Sequence, residues 1–95
     1  MTNQEVAEAF ARGENKGHSN NIFIDKRPFS TIIYSYGYHF PIAIRTSDFF
    51  AFFNSDRYSQ TTACHKSKVK QALISEGLRL EEKTTEELKE IIKTS

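Results

Sequence analysis

A polar stretch near the middle of the chain holds the residue types best suited to bind an anion. Residues 53–73 read FNSDRYSQTTACHKSKVKQAL, and residues 55–75 contain four basic side chains and one acidic side chain, a net charge of +3. The whole chain has a net charge of only +1. Ammonium, guanidinium and hydroxyl groups donate hydrogen bonds to phosphates and carboxylates. The candidate binding residues in this stretch are Arg57, Tyr58, Thr61, Thr62, His65, Lys66, Lys68 and Lys70.

A helix start inside this stretch would bring some of these groups together. Thr61 or Thr62 is a natural N-cap, and the first turn of a helix points unpaired N–H groups outward at the positive end of the helix dipole. Such an end binds phosphate readily, and Arg57 and Lys66 could join it. The alternative interpretation is simpler, with threonines that only cap a helix and lysines that only face water.

The apolar residues after this start recur with a helical period. They predict a helix over 62–76 that ends at Gly77, where a left-handed residue is favoured. On such a helix Lys66 and Lys70 lie on one flank of the apolar stripe and Lys68 lies on the other. The three lysines therefore do not form one outward face.

The other groups that could do chemistry give weaker signals. Cys64 and His65 are neighbours in sequence, so their side chains diverge on a helix, and no orienting third residue is evident. Together with His18 and His39 they show none of the spacings of metal sites. We therefore expect no enzyme activity, no metal and no cofactor. His65 is either a half-buried histidine bonded to a loop carbonyl or a ligand group facing the turn at 58–62.

Aromatic residues precede the basic stretch. Tyr34 and Tyr36 alternate onto one face of a strand, so they could form a stacking surface beside the basic flank. They could equally be half-buried sheet residues. The run FFAFF at 49–53 is apolar on both faces, which favours either a covered central strand or an exposed aromatic surface for a partner, including a second copy of the chain.

The surrounding elements predict an α+β fold in a single domain over residues 1–95. Residues 1–13 predict a short helix, because apolar residues recur at helical spacing between capping residues and a glycine. Residues 20–54 predict an antiparallel meander of three or four strands, and residues 61–95 predict two helices packed on one face of it. The sequence segments that predict these strands are NIFID, STIIYSY, PIAIR and FFAFF.

Composition excludes several classes of protein. The chain is 38% hydrophobic and 26% charged, and its apolar runs are too short to cross a bilayer. The start, MTNQEVAEAFARGEN, carries acidic residues and no continuous apolar segment, so it does not read as a secretory signal. A single cysteine cannot form an internal disulfide. We therefore expect a cytoplasmic protein without membrane contact, in the host cytoplasm if the protein is viral.

Two longer segments resemble a known domain. YSYGYHFPIAIR and FNSDRYSQTT, followed by His65 and Val69, are similar to a small uncharacterised domain found in phages, plasmids and archaeal or bacterial mobile elements. The resemblance covers about residues 20–75. It implies a viral or mobile-element setting and no mechanism. This chain has Cys64 and Lys66 where that domain tends to have serine and glutamine.

In that setting a small protein commonly acts by covering a surface of a host complex. The sequence therefore predicts a non-enzymatic binding protein that inhibits a nucleic-acid-handling host defence system, an anti-CRISPR protein being one example. Its partner would be a host protein or nucleoprotein complex. The rival hypothesis is a regulatory protein that binds nucleic acid directly through helix 62–76, and a homodimer is a further expectation.

Overall fold

Three helices and five strands make up the part of the chain that the structure describes. The structure is a computed structural model, and it describes residues 1–46, 49–57 and 60–94. The prediction of an α+β protein, with one helix before the sheet and two helices later in the chain, is confirmed. The elements are α1 (Asn3–Ala11), β1 (Ile22–Lys26), β2 (Thr31–Ser35), β3 (Pro41–Arg45), β4 (Phe50–Asn54), α2 (Gln60–Ser75), β5 (Arg79–Lys83) and α3 (Thr85–Lys93).

The strands form one sheet in the order β1-β2-β3-β4-β5. The first four strands are an antiparallel meander, as the runs rich in Ile, Phe and Tyr predict. β5 instead pairs with β4 in parallel, with Phe50 opposite Arg79 and Asn54 opposite Lys83. The prediction of a three- or four-stranded antiparallel sheet is therefore wrong, because the sheet is mixed and has five strands.

The fifth strand lies at an edge of the sheet and has an unusual sequence for a strand. It reads RLEEK, with four charged side chains and no β-branched or aromatic residue. A parallel neighbour of β4 needs a crossover connection, and α2 supplies it. Charged side chains on a short edge strand discourage the addition of another strand. Because of these charges, β5 shows no hydrophobic pattern from which a strand could be predicted.

Helices cover both faces of the sheet. One face, called here the α1–α2 face, packs Val6, Phe10, Val69 and Leu73 against Ile33, Ala43, Ala51 and Phe53. The opposite face, called the α3 face, packs Leu88, Ile91 and Ile92 against Ile32, Tyr34, Ile44 and Phe52. The prediction that both later helices pack on one face is therefore wrong. Since β5 lies at the sheet edge between them, the chain passes around that edge and α3 returns over the other side.

Local signals set the starts of α1 and α3 and the end of α2. Thr2 and Thr84 are N-caps, and each forms a capping box with the glutamate three residues later. Gly77 has a φ of +82° and follows α2. The N–H of Leu78 then donates to the carbonyl of Leu73 at 3.1 Å, which closes the helix in a Schellman turn.

The aromatic strand β4 is covered by the chain itself. Ala51 and Phe53 are buried on the α1–α2 face, and Phe52 is half-buried on the α3 face. Phe49, just before the strand, is 76% exposed. One of the two predictions for 49–53 was an exposed aromatic surface. In the structure Phe49 is exposed, but residues 50–53 do not extend it into a continuous exposed patch. A homodimer remains a prediction, but this surface no longer supports it.

Candidate functional site

The helix α2 presents its lysines as the sequence predicts. His65, Val69 and Leu73 are buried beneath the helix. At 100° per residue, Lys66 and Lys70 lie on the flank that faces β4, and Lys68 lies on the flank near the end of β2. The basic stretch is therefore divided into two separate surfaces.

The flank that carries Lys66 and Lys70 borders a groove of about 500 Å³. Three cationic side chains line it, and no acidic side chain does so among the residues that the structure describes. We call it the cationic groove. Its lining consists of Phe53, Arg57, Gln60, Ala63, Lys66, Ser67 and Lys70.

Phe53 forms the floor of the cationic groove. The ammonium nitrogens of Lys66 and Lys70 lie 5.6 and 5.7 Å from the centre of its ring, within the range of cation–π attraction. The ring is only 5% exposed, since the lysine stems cover it. The sequence predicted the lysines and Arg57 but not Phe53, although an aromatic residue at the end of the strand before the helix was the available signal.

Lys66 is the best positioned cation of the groove. Its ammonium donates a hydrogen bond of 2.7 Å to the backbone carbonyl of Asp56, and its side chain is half-buried. Burial lowers the pKa of Lys66, and the nearby charges of Lys70 and Arg57 act in the same direction. Asp56 and Glu82 oppose this and raise the pKa of Lys66. The groove therefore holds cations that repel one another at close range.

A hydrogen-bond network behind the groove fixes the segment that carries Asp56. The buried amide of Asn54 donates to the carbonyl of Pro41 at 2.7 Å and to the hydroxyl of Thr85 at 2.9 Å. Its oxygen accepts from the N–H of Asp56 at 2.8 Å. Because these bonds connect β3, β4 and α3, the anchor of Lys66 is part of the rigid sheet rather than a loose loop.

The threonines do not have the predicted capping role. α2 begins at Gln60, so Thr61 and Thr62 lie in its first turn rather than before it. Thr61 is exposed and Thr62 is 1% exposed, under the helix. The N-cap prediction for either threonine is wrong, because both lie inside the helix, which begins earlier than the first apolar position suggests. Neither threonine lines the cationic groove.

His65 is buried and bonded to a serine. Its Nδ1 lies 2.9 Å from the hydroxyl oxygen of Ser35, rather than near the predicted loop carbonyl. Burial lowers the pKa of His65, and the charge of Lys68 adds to this. Ser35 and His65 are 1% and 2% exposed, so no substrate can reach this serine–histidine pair. Cys64 is exposed and points away from it.

The two tyrosines predicted to share a face are separated. Tyr34 stacks on Phe23 at 5.2 Å between ring centres, on the α3 face. Tyr36 has a φ of +65°, which turns its ring toward His65 at 5.3 Å, on the opposite side of the sheet. The stacking surface predicted from both tyrosines is therefore not formed. Tyr58, the other predicted aromatic, lies outside the described residues.

The described residues offer few other chemical groups in clusters. Over 1–46, 49–57 and 60–94 there is no group of three or more His, Cys, Asp or Glu side chains that could hold a metal ion. No helix in the same ranges is long and apolar enough to span a bilayer. Comparisons with protein-family models, with curated proteins and with solved structures found no match to this chain. Its function therefore has to be inferred from the cationic groove itself.

Proposed function

We propose that this chain is a non-catalytic binding protein whose cationic groove engages an anionic surface of a larger partner. The observation that carries the proposal is the convergence of Arg57, Lys66 and Lys70 on one groove above Phe53. Lys66 is already held by its hydrogen bond to the carbonyl of Asp56, so it loses little freedom on binding, which favours a specific contact over a diffuse one. The buried serine–histidine pair supports binding rather than catalysis, because no substrate can reach it.

The partner that we propose is a host defence complex that handles nucleic acid. The resemblance to a domain of phages, plasmids and mobile elements favours that setting, in which a small cytoplasmic inhibitor would cover a working surface of the complex. The nucleic acid that such a complex holds exposes phosphates, which supply the negative charge that the cationic groove would meet. A protein of this kind acts by occupying that surface, in the manner of an anti-CRISPR protein.

The test is a plasmid transformation assay in bacteria that carry a nucleic-acid-targeting defence system. Expression of the chain should restore transformation by a targeted plasmid. The double variant K66E/K70E should not restore it, since it inverts two of the three charges of the groove. K68E is the matched control, because it makes the same change on the other flank of the same helix and should restore transformation fully.

Two results would contradict the proposal. If the wild-type chain restores transformation in none of the systems tested, the inhibitor function is rejected. Equal restoration by K66E/K70E and wild type would remove the groove from it. Thermal unfolding of each variant shows whether a loss reflects binding or folding, which matters because Lys66 is half-buried and hydrogen-bonded.

The rival hypothesis, a regulator that binds nucleic acid directly through helix 62–76, has one observation for it. Lys70 is exposed on one flank of α2, and Lys68 is partly exposed on the other flank. Because those two lysines diverge around the helix, the rival requires the nucleic acid to contact both flanks. A mobility-shift assay with duplex DNA tests the rival, and it requires K68E and K70E to weaken binding equally.

A further inference from the structure

The charge of the cationic groove indicates which anion it fits. Three cations line it and no acidic side chain does so among the described residues, although the charges of Asp56 and Glu82 reach Lys66 and raise its pKa. One carboxylate supplies a single negative charge, whereas a chain of phosphodiesters supplies one charge per nucleotide at short and regular spacing. Two or three consecutive phosphates therefore match the groove better than an isolated acidic side chain does.

The shape of the groove favours a strand over a peptide. Peptide recognition usually depends on an open pocket for an anchoring side chain. Here the only aromatic ring among the described lining residues, Phe53, is 5% exposed beneath the ammonium groups of two lysines, so it offers little surface to an anchoring side chain. The polar groups that the described lining offers are ammonium, guanidinium, amide and hydroxyl groups. Those are the groups that bind phosphate and sugar.

The depth of Lys66 separates a single strand from a duplex. Its ammonium is half-buried and already donates one hydrogen bond to the carbonyl of Asp56, which leaves two donors directed elsewhere. A flexible strand can bend its phosphates into a groove to reach such a group, whereas a rigid duplex meets mainly protruding side chains. From Gln60 to Lys70 the flank is about 15 Å long, enough to follow a short run of nucleotides.

We infer that the cationic groove binds the phosphate backbone of a single nucleic-acid strand, without preference for sequence, and that this strand is what the chain contacts on the host complex; this inference rests on the proposed function. Arg57 and Lys70 hold the phosphates at the exposed rim, and Lys66 holds the deepest one. Gln60 and Ser67 are placed to donate to sugar or phosphate oxygens. No exposed aromatic side chain lines the groove among the described residues.

The experiment is a salt titration of binding to a short fluorescent oligothymidylate, followed by anisotropy. With three phosphates neutralised, the slope of log K against log salt should be about −2, since each contributes about 0.7 for a single strand. K66Q/K70Q should bind more than about tenfold more weakly at low salt, with a slope near −0.7 because Arg57 remains. K68Q, the matched control, should keep the affinity and the slope of the wild type.

A second measurement uses the wild-type chain alone and does not depend on the folding of a variant. Lysine acetylation is followed by mass spectrometry with and without the oligothymidylate. The strand should slow acetylation of Lys66 and Lys70 and leave Lys68 and Lys89 unchanged. Equal protection of all four lysines, or protection of none, would overturn the inference.

Competition identifies the class of ligand. A poly-glutamate peptide that displaces the strand at equal charge concentration, or a duplex that binds as tightly with the same slope, would overturn the inference. Loss of defence inhibition in K66E/K70E together with no strand binding would also overturn it, while the proposed function would stand. Strand binding that depends on Lys66 and Lys70, in cells that show no inhibition, would support the inference and remove the proposed function.

Discussion

The backbone N–H of Thr85 donates a hydrogen bond of 2.7 Å to the carboxylate of Asp56, and so connects the first residue of α3 to the segment that follows β4. The carbonyl of the same aspartate holds the ammonium of Lys66 at 2.7 Å. One residue therefore joins the helix on the α3 face to the cationic groove on the α1–α2 face. A shift of the backbone at Asp56 would therefore affect both sides of the sheet.

Replacement of Asp56 by Asn should lower the free energy of unfolding at neutral pH. The hydrogen bond from Thr85 lowers the pKa of Asp56 below its ordinary value of 3.8. Because the pKa is lowered, the ionised Asp56 carboxylate stabilises the fold fully at pH values above the ordinary pKa. This stabilisation is lost as the pH falls through the lowered pKa. Urea unfolding should therefore show a gap between wild type and D56N that narrows in acid. Glu76→Gln, at an exposed acidic residue, is the control and should show no such gap.

Acidification should also destabilise the protein through His65. Its pKa is lowered below the ordinary 6.5 by burial, so the unfolded chain binds a proton that the folded chain does not. Stability should then decrease as pH falls below about 6.5 toward the lowered pKa. His65→Gln should flatten this part of the profile, measured as the unfolding midpoint in urea. An unchanged profile in H65Q, or the same flattening in the exposed-site control His18→Gln, would contradict the prediction.

Tyr36 has a left-handed backbone, a conformation that costs a residue with a Cβ atom roughly 1–2 kcal/mol. Tyr36→Gly and Tyr36→Ala both remove the ring that contacts His65. They differ in that glycine adopts a positive φ freely. The glycine variant should therefore be more stable than the alanine variant by about 1 kcal/mol in thermal unfolding. Equal stabilities would show that the residue leaves this conformation when its ring is removed.

Leu88 anchors α3 to the sheet and is fully buried. Leu88→Ala should cost about 3 kcal/mol, from the lost burial and the cavity left behind. Ile74→Ala is the control, since Ile74 is 52% exposed on α2 and should cost much less. Chemical denaturation of both variants measures the difference. A small effect at Leu88 would mean that α3 is not held by its apolar stripe.

Cys64 has an exposed side chain on α2 and lies outside the cationic groove. Cys64→Ser should change the free energy of unfolding by less than about 0.5 kcal/mol, as surface substitutions usually do. Binding and defence inhibition should also be unchanged. A loss of either function in a folded C64S protein would show that the thiol takes part in the contact.

The strands of the meander and the caps of α1 and α3 could be predicted because local pattern determines them. Alternation placed Ile32 and Tyr34 on one face and Ile33 on the other, and the structure agrees. β5 could not be predicted, since RLEEK becomes a strand only through its parallel partner β4. The chain reaches the α3 face only by passing through β5 at the edge of the sheet. Because β5 was not predicted, α3 was also placed on the wrong face.

The site was predictable in part for a similar reason. Helical periodicity gave the shared flank of Lys66 and Lys70. The floor at Phe53 depends on how α2 lies across the sheet, which is a tertiary relationship. The separation of Tyr34 from Tyr36 depends on one backbone angle, a positive φ at a tyrosine, that sequence pattern does not encode.

The parallel pairing of β4 with β5 also bears on the order in which the protein folds. Neighbouring strands of the meander meet through short turns, so those contacts can form early, whereas Phe50 meets Arg79 only after the whole of α2 is in place. Closing that long loop costs entropy before any of its contacts form. β5, and α3 behind it, should therefore join the nucleus last. Until they do, the apolar α3 face of the meander is open to other unfolded chains.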